Sequence, residues 1–304
     1  MRDAVARAIT DAARERDDVI LVVADISPAA SLKNFLDENP TRIVDVGVSE
    51  QAMIGMAAGL AMTGLRPFAY TIAPFALYRP FEQIRVDLCY QDLPTVIVGV
   101  GAGLSYSALG STHHTIEDVA LACALPNMTV VAPCDPLETA AAVKASFELH
   151  GPMYLRIGKA GEPSLTDAAP EPFILGKIRQ VGSGGRTAVL AYGPILEMAV
   201  RAAEQLQGTD AHPSIYSVHT LKPLDYERLG EILNEHDRVV VLEEHVFLGG
   251  LGMRVQAYAH ERGSATSISS LHLQDEFIHT YGSKQDLFDA HGITLDALIT
   301  AIRG

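Results

Sequence analysis

Hydrophobic positions in the first half of the chain follow two alternating patterns. Continuous apolar segments such as VILVVADI (19–26) and PTVIVGVG (94–101) predict strands that are buried on both faces. The helices predicted between such strands cover residues 2–16, 49–64, 80–90 and 115–125. Thr115 is the candidate N-cap of the last of these helices. Strands alternating with helices in this way are typical of a mostly parallel sheet covered by helices on both faces.

The pattern is interrupted once, by a proline-containing stretch without a clear period, and it then resumes. We therefore predict an α/β chain of two domains, each a mostly parallel sheet flanked by helices. The predicted units are a first domain over 1–160, a linker over 161–178 and a smaller second domain over 179–304.

Charge and cysteine content exclude several classes of protein. The 304 residues include 23 Lys and Arg against 37 Asp and Glu, a formal net charge of -14. Nucleic acids and anionic membrane surfaces bind basic faces, so neither is expected as a partner. The most apolar stretch, residues 52–65, is interrupted by glycines and falls short of the roughly 20 apolar residues that span a bilayer. Three cysteines without C-x-x-C spacing predict neither a disulfide framework nor a zinc site, and they fit a cytoplasmic location.

The segment DVGVSEQ (45–51) joins a predicted strand to a helix and carries the first candidate functional residue. Ser49 takes the N-cap position, and Glu50 lies in the first turn, where the helix dipole favours a carboxylate. That dipole alone can account for Glu50, so its position leaves a structural and a catalytic role open. The following helix has a face of small residues, which suits either a tight interface or an ordinary buried helix.

Several motifs together resemble the transketolase family over nearly the whole chain. They are DVGVSEQAMIGMAAGLAMTGLRPFAYT, PFALYRPFEQIR, THHTIEDVALACALPNMTVVAPCDPLET and GPMYLRIGK, followed by SVHTLKPLD and VVVLEEHVFLGGLG in the second domain. The resemblance implies a pyrimidine-binding domain followed by the family's C-terminal domain. The family's G-D-G motif with its later Asn, which holds the diphosphate and Mg²⁺, does not occur here. A split transketolase is therefore expected, with that half on a partner chain.

The resemblance assigns the thiamine diphosphate contacts. Glu50 is expected to hydrogen-bond the pyrimidine ring and activate the cofactor, which serves as an electron sink. A carboxyl in this role has to hold or share a proton, which burial favours. Phe75 matches the aromatic that stacks on the ring, unless it is simply a core residue, and Tyr78 a second aromatic nearby. Ile72 replaces an aromatic of full-length transketolases, and Asp25 matches an acid near the cofactor at the subunit interface.

The substrate side of the site departs from the family. His113 matches the histidine of the G-x-[ST]-H-Q motif that contacts substrate oxygens, with His114 in place of the Gln. Adjacent histidines without nearby acids or cysteines are weak evidence for a metal, so no metal site is predicted. Lys159 takes the place of an arginine that grips a substrate phosphate, although a solvated loop charge is an equal alternative. Gly101 and Leu109 replace a histidine and an acid, which predicts a changed donor.

The leading interpretation is the C-terminal subunit of a split transketolase that transfers a two-carbon ketol unit. Its partner would be the N-terminal subunit with the diphosphate and Mg²⁺ site, in an α₂β₂ heterotetramer. One alternative is the β subunit of a 2-oxo acid dehydrogenase, which usually carries an R-G-P-N-like run where this chain has RIGKAG. Another is a non-catalytic partner that has kept the fold. The second domain, including Glu243, Glu244, His245 and the GGLG turn, is expected to be architectural.

Overall fold

The computed structural model describes residues 1–25 and 32–304, so the last residue of the predicted strand 19–26 lies outside the described part. The strands are β1 Val19–Val23, β2 Ile43–Asp45, β3 Arg66–Ile72, β4 Val96–Val100, β5 Thr129–Val131, β6 Met153–Ile157, β7 Arg179–Gly182, β8 Thr187–Ala191, β9 Ser214–Ser217, β10 Thr220–Lys222, β11 Arg238–Val246 and β12 Ser267–Leu273. The helices are α1 Arg2–Glu15, α2 Lys33–Glu38, α3 Glu50–Met62, α4 Ala73–Leu77, α5 Phe81–Gln83, α6 Asp118–Ala124, α7 Pro136–Ser146, α8 Leu196–Leu206, α9 Tyr226–Glu235, α10 Leu251–Glu261, α11 Lys284–Ala290 and α12 Leu295–Arg303.

The first sheet has the strand order β10-β5-β6-β4-β3-β1-β2. All of its neighbours are parallel except β10 and β5. Strands β1, β4 and β6 are buried along their full length, as continuous apolar sequences require when helices cover both faces. The carboxyl ends of parallel strands meet at one edge of a sheet, and in α/β folds the loops at that edge form the ligand site.

The second sheet has the order β12-β11-β8-β9-β7, in which only β7 runs antiparallel to its neighbour among the described strands. Helices α8, α9 and α12 each have a strongly amphipathic sequence, with the apolar face buried. The prediction of an α/β chain with two mostly parallel sheets flanked by helices is confirmed.

The two sheets share an unexpected connection. Strand β10 follows β9 of the second sheet in sequence, yet it pairs antiparallel with β5 of the first. A single buried apolar cluster also contains side chains from both halves, including Ile97 of β4 in the first sheet and Leu229 and Val241 in the second half. The second half therefore braces the first sheet directly.

Two local predictions need correction. Helix α6 begins at Asp118, not near Thr115, so the proposed N-cap was wrong. Thr115 is instead fully buried, and its hydroxyl accepts the N–H of Gly103 at 2.7 Å. The predicted helix 80–90 is present, but it consists of α5 followed by a π-helical segment, Ile84–Tyr90. Within the described residues, none of the helices has the length and apolar character needed to cross a membrane.

Candidate active site

The turn between β2 and α3 is held by the side chain of Asp45. Its Oδ1 accepts the backbone N–H of Asp25 at 3.1 Å and that of Gly47 at 2.9 Å. Gly47 has a φ of +68°, a left-handed conformation that favours glycine. The turn delivers Glu50 as the first residue of α3, with only 6% of its side chain exposed. Ser49 takes the N-cap position as predicted, although its side chain makes no capping hydrogen bond.

Arg79 joins Glu50 to Phe75. Its Nη1 donates to Glu50 Oε1 at 2.7 Å, and its guanidinium carbon lies 3.8 Å from the centroid of the Phe75 ring. The sequence reasoning did not single out Arg79. A buried carboxylate that is ionised needs a partner of opposite charge. The expected burial of Glu50 could therefore have predicted a nearby cation.

His113 also contacts the Phe75 ring. The two ring centroids are 5.1 Å apart in an edge-on arrangement. Burial lowers the pKa of His113, and the positive charge of Arg79 lowers it further, so the imidazole is neutral at pH 7. Tyr106 and Lys159 extend this row. The centroids of Tyr106 and His113 are 6.0 Å apart, and Lys159 Nζ lies 4.8 Å from the centre of the Tyr106 ring.

The other predicted site residues fall around this row. Tyr78 donates its hydroxyl to Glu117 Oε2 at 2.7 Å, and burial raises the pKa of that phenol. His114 is buried, and together with Tyr78 and Glu117 it lines a cavity of about 330 Å³. Ile72 is half-buried at the end of β3, and Asp25 is exposed just after β1. The structure thus brings Glu50, Phe75 and His113 together and places Tyr78 and His114 in a neighbouring cavity.

Lys159 opens onto a larger cavity between the two halves of the chain. The cavity has a volume of about 410 Å³, and its lining includes Ser105 beside Lys159. Two further cations, Arg201 and Lys284, reach it from the second half. Its two carboxylates among the described residues are Glu162, which is paired with the amino group of Met1 at 2.8 Å, and Glu197, so cations outnumber acids in that lining by three to two. The cavity therefore suits an anionic group at one end of a ligand.

The loop from residue 101 to residue 114, hereafter the substrate loop, is anchored by the second half of the chain. The buried carboxylate of Glu244 accepts the N–H of Leu104 at 2.5 Å and bonds Lys284 Nζ at 2.9 Å. Gly103 allows this approach, because a Cβ there would lie 2.3 Å from the Glu244 carboxyl carbon. The expectation that this half is mainly architectural stays a prediction, and Glu244 agrees with it by positioning the loop that carries His113.

In the GGLG turn (249–252), backbone N–H groups at the start of α10 already bind a carboxyl group of the chain itself. Glu243 accepts the N–H groups of Leu251 and Gly252, at 2.8 and 2.9 Å, where α10 begins. Burial raises the pKa of Glu243 to about 7 despite these hydrogen bonds. The chain's own carboxylate thus occupies the helix N-terminus that a phosphate would otherwise bind. In the part of the chain that the structure describes, no group of three or more His, Cys, Asp or Glu side chains is arranged to hold a metal ion.

Comparison with protein families finds two matches that together span most of the chain. The family described as "Transketolase, pyrimidine binding domain" matches residues 1–161. The family described as "Transketolase, C-terminal domain" matches residues 176–298. The order of the two is the one that the sequence motifs predicted.

Three individual proteins resemble the whole chain or most of it. A subunit of the apulose-4-phosphate transketolase of Phocaeicola vulgatus is 30% identical over 290 residues, covering 95% of this chain and 92% of the relative. A 6-deoxy-6-sulfo-D-fructose transketolase subunit of Clostridium sp. is 34% identical over 252 residues, covering 83% and 78%. A solved structure described as a split gene transketolase, inactive beta4 tetramer, aligns with a TM-score of 0.88 and 31% identity, covering 99% of this chain and 96% of that one.

Proposed function

The chain belongs to the transketolase family, and on that premise we propose that it is the C-terminal subunit of a split, thiamine-diphosphate-dependent transketolase. It would transfer a two-carbon ketol unit together with a partner subunit. Relatives named as transketolase subunits, matched over most of their length, support this interpretation over a 2-oxo acid dehydrogenase. The observation that carries the proposal is the place that Arg79 occupies, where one planar group is hydrogen-bonded to the buried Glu50 and lies over the Phe75 ring.

The residues around Glu50 fit the aminopyrimidine of this cofactor. Between Glu50 and Phe75 lies the guanidinium of Arg79, a planar group that stacks on the ring and donates an N–H to the carboxylate. An aminopyrimidine is likewise planar, and its ring nitrogen can share a proton with the Glu50 carboxyl group, so it can make both contacts once Arg79 has moved. When bound, thiamine diphosphate supplies an electron sink for the transferred unit. Glu50 would hold a proton at the ring, and Phe75 would fix the ring plane by stacking.

The exposed face of helix α3 supports the proposal that a partner subunit binds next to this site. Its outer face is exposed and built from small or apolar residues, namely Ala52, Gly55, Met56, Gly59 and Met62. Met56 is 45% exposed and Met62 64%, and nothing lies within 4 Å of a Cβ built on Gly55 or Gly59. We propose that this face packs against the N-terminal subunit, which would hold the diphosphate and Mg²⁺. Two copies of each subunit would enclose two cofactors.

The substrate would be a ketose, or a similar donor, that carries an anionic end. The cations Lys159 and Arg201, which line the larger cavity, support this; Lys284 lines it too but is paired with Glu244. The names of two relatives include a phosphate and a sulfo group on a modified sugar, which agrees with an anionic and altered donor. Within this proposal His113 and Lys159 contact opposite ends of the substrate.

Reconstitution tests the split enzyme. The purified chain alone should not turn over ketose phosphates, and activity should appear in proportion to added partner subunit. The mass of the active complex, measured by light scattering, should correspond to two copies of each chain. Stable turnover by the homogeneous chain alone would refute the proposal.

A matched pair of variants locates the interface. Gly59→Leu should weaken assembly with the partner, because the new side chain fills space on the exposed face of α3. A helical Gly exchanged for Leu gains helix propensity, so the fold should not suffer. Ala257→Leu on the exposed face of α10 is the control and should leave assembly unchanged. Equal assembly of both variants would place the partner elsewhere.

A further inference from the structure

Tyr106 lies directly against the backbone of Gly101. A Cβ built on Gly101 would sit 2.0 Å from Cε2 of the Tyr106 ring and 2.4 Å from its Cδ2. Gly101 also has a φ of +76°, which side-chain-bearing residues rarely adopt. The aromatic ring at 106 and the absence of a side chain at 101 are therefore one structural feature. The space that a side chain at 101 would need is filled by the phenol.

The same ring contacts both of the polar side chains that are proposed to face the substrate, His113 and Lys159. Its edge-on neighbour is His113, at 6.0 Å between centroids, and Lys159 Nζ lies 4.8 Å from its centroid. The ring is half-buried, and burial raises the pKa of its hydroxyl, so the phenol stays neutral at physiological pH. A substrate that reaches from His113 to Lys159 has to pass along an aromatic surface.

Hydrogen bonds of the neighbouring loop residues hold the backbone that carries the Tyr106 ring. The neighbouring Leu104 N–H is bonded to the buried carboxylate of Glu244, and the hydroxyl of Ser105 bonds the carbonyl of Ala102 at 2.7 Å. Tyr106 itself precedes a 3₁₀ turn over Ser107–Leu109. The loop backbone around the ring is thus held at several points, and the wall is preformed.

We propose that Tyr106 is the specificity-determining residue of this enzyme, and that it selects ketose donors that keep the C3 hydroxyl needed for cleavage of the C2–C3 bond but present a C–H surface in place of a hydroxyl at C4. This inference rests on the proposed ketol transfer and names the substrate class of the same site. An aromatic face packs well against C–H groups, whereas a hydroxyl buried against it loses its hydrogen bonds to water. Each such hydroxyl should lower kcat/KM by roughly 10- to 100-fold.

Two donors that differ by one hydroxyl test the proposal. Fructose 6-phosphate and 4-deoxyfructose 6-phosphate have the same length and the same anionic end. The reconstituted pair should prefer the deoxy donor by about 10-fold or more, the lower limit expected for one desolvated hydroxyl. In Tyr106→Ala that preference should largely vanish, because water can enter and solvate the hydroxyl. Tyr106→Phe keeps the ring face and should keep the preference.

Controls separate selection from folding and from cofactor activation. Exchange of the cofactor's C2 proton should proceed at the unaltered rate in both Tyr106 variants, since Glu50 is untouched. Tyr226→Ala removes an exposed tyrosine on α9 and should leave donor preference unchanged. Gly101→Ala tests the same contact by changing the residue against which the Tyr106 ring packs. It should displace the phenol and reduce the preference even if Tyr106→Ala does not fold.

The outcomes distinguish this inference from the proposed function. If the wild-type pair turned over no ketose donor, the proposed ketol transfer would fail. If it turned over both donors equally, or if Tyr106→Ala and Gly101→Ala kept the wild-type preference, the role of Tyr106 would be overturned while ketol transfer stood. If Tyr106→Phe lost the preference as fully as Tyr106→Ala, the hydroxyl and not the ring would be the determinant, which also overturns the proposal.

Discussion

The turn that presents Glu50 and the substrate loop that presents His113 face the same site, but they are built differently. Phe75 lies on a helix that follows β3 directly, and Glu50 begins a helix that is joined to β2 by a short turn held by Asp45. The substrate loop has only short 3₁₀ turns, and the second half of the chain anchors it through Glu244. Regular elements hold the residues proposed for cofactor activation, and an anchored loop holds those proposed for substrate selection.

This difference suggests how such a site can change its substrate without losing its chemistry. Loops tolerate substitution because fewer packed neighbours constrain them, while a strand-to-helix turn with a buried acid tolerates little. Gly101 and Tyr106 complement each other within the loop, whereas Glu50 occupies a buried place at the start of a helix. Variants in the first region should therefore affect all donors alike, and variants in the second should affect them selectively.

The largest effect is expected from Glu50→Gln in the reconstituted pair. An amide cannot hold the proton at the pyrimidine ring, so kcat should fall by about 10²- to 10⁴-fold, as for loss of a general acid–base group. The fall should be equal for all donors. Glu82→Gln, at a carboxylate that is 63% exposed and paired with Arg85, is the matched control and should keep full activity. If the fall in kcat of Glu50→Gln differed from one donor to another, the proposed division of roles between the two regions would be contradicted.

Next in size is Glu244→Ala, which removes the anchor of the substrate loop. Displacement of the loop by about 1 Å can cost on the order of 10²-fold in rate, so kcat/KM should drop by roughly 10- to 100-fold. Glu244→Gln still accepts the Leu104 N–H but loses the charge facing Lys284, and it should fall less. The C2 exchange rate should be unaffected by either change. Parallel loss of C2 exchange and kcat/KM would point to general unfolding.

A smaller effect is expected from Phe75→Leu, which keeps an apolar side chain but removes the aromatic face. Ring stacking contributes about 0.5–1.5 kcal/mol beyond burial, so the Kd for thiamine diphosphate should rise by roughly 2- to 10-fold. Calorimetric titration of the reconstituted complex measures this. Phe147→Leu, at a half-buried ring that contacts Arg16 and Phe68, serves as the control. An unchanged Kd in Phe75→Leu would mean that Phe75 is only a core residue.

The smallest effect links the two regions through charge. Arg79 lowers the pKa of His113, because a nearby cation disfavours the imidazolium. Arg79→Gln should therefore raise the pKa of His113 in the chain without cofactor, where Arg79 occupies this position. Arg85→Gln, which removes an exposed arginine whose partner is Glu82, should leave that pKa unchanged. NMR titration of His113 checks the shift directly, and a downward shift would contradict it.

The sequence predicted the architecture and the family well, because both leave local signals. Continuous apolar runs identified the buried strands, and the two domain matches confirm the family that the motifs suggested. The small-sided helix after Ser49 was also predicted within two residues at each end. The roles of Glu50, Phe75, His113 and Lys159 stay predictions until variants are measured.

What the sequence could not reveal were contacts between distant segments. Leu104 and Glu244 are 140 residues apart, and no periodicity relates them. The pairing of β10 with the first sheet crosses the predicted domain boundary in the same way. Gly101 was interpreted only as a lost polar side chain, since the sequence does not say which group fills the vacated space. Only the folded loop places the Tyr106 ring there.

The most direct test of the central claim is the exchange of the C2 proton of thiamine diphosphate bound to the reconstituted complex, measured by acid quench and NMR. Exchange reports activation of the cofactor before any donor binds, so it isolates the role of Glu50 from the substrate loop. We predict rapid exchange in the wild-type pair and in Tyr106→Ala, and exchange in Glu50→Gln slowed in parallel with kcat. A wild-type exchange rate in Glu50→Gln would show that another group activates the cofactor.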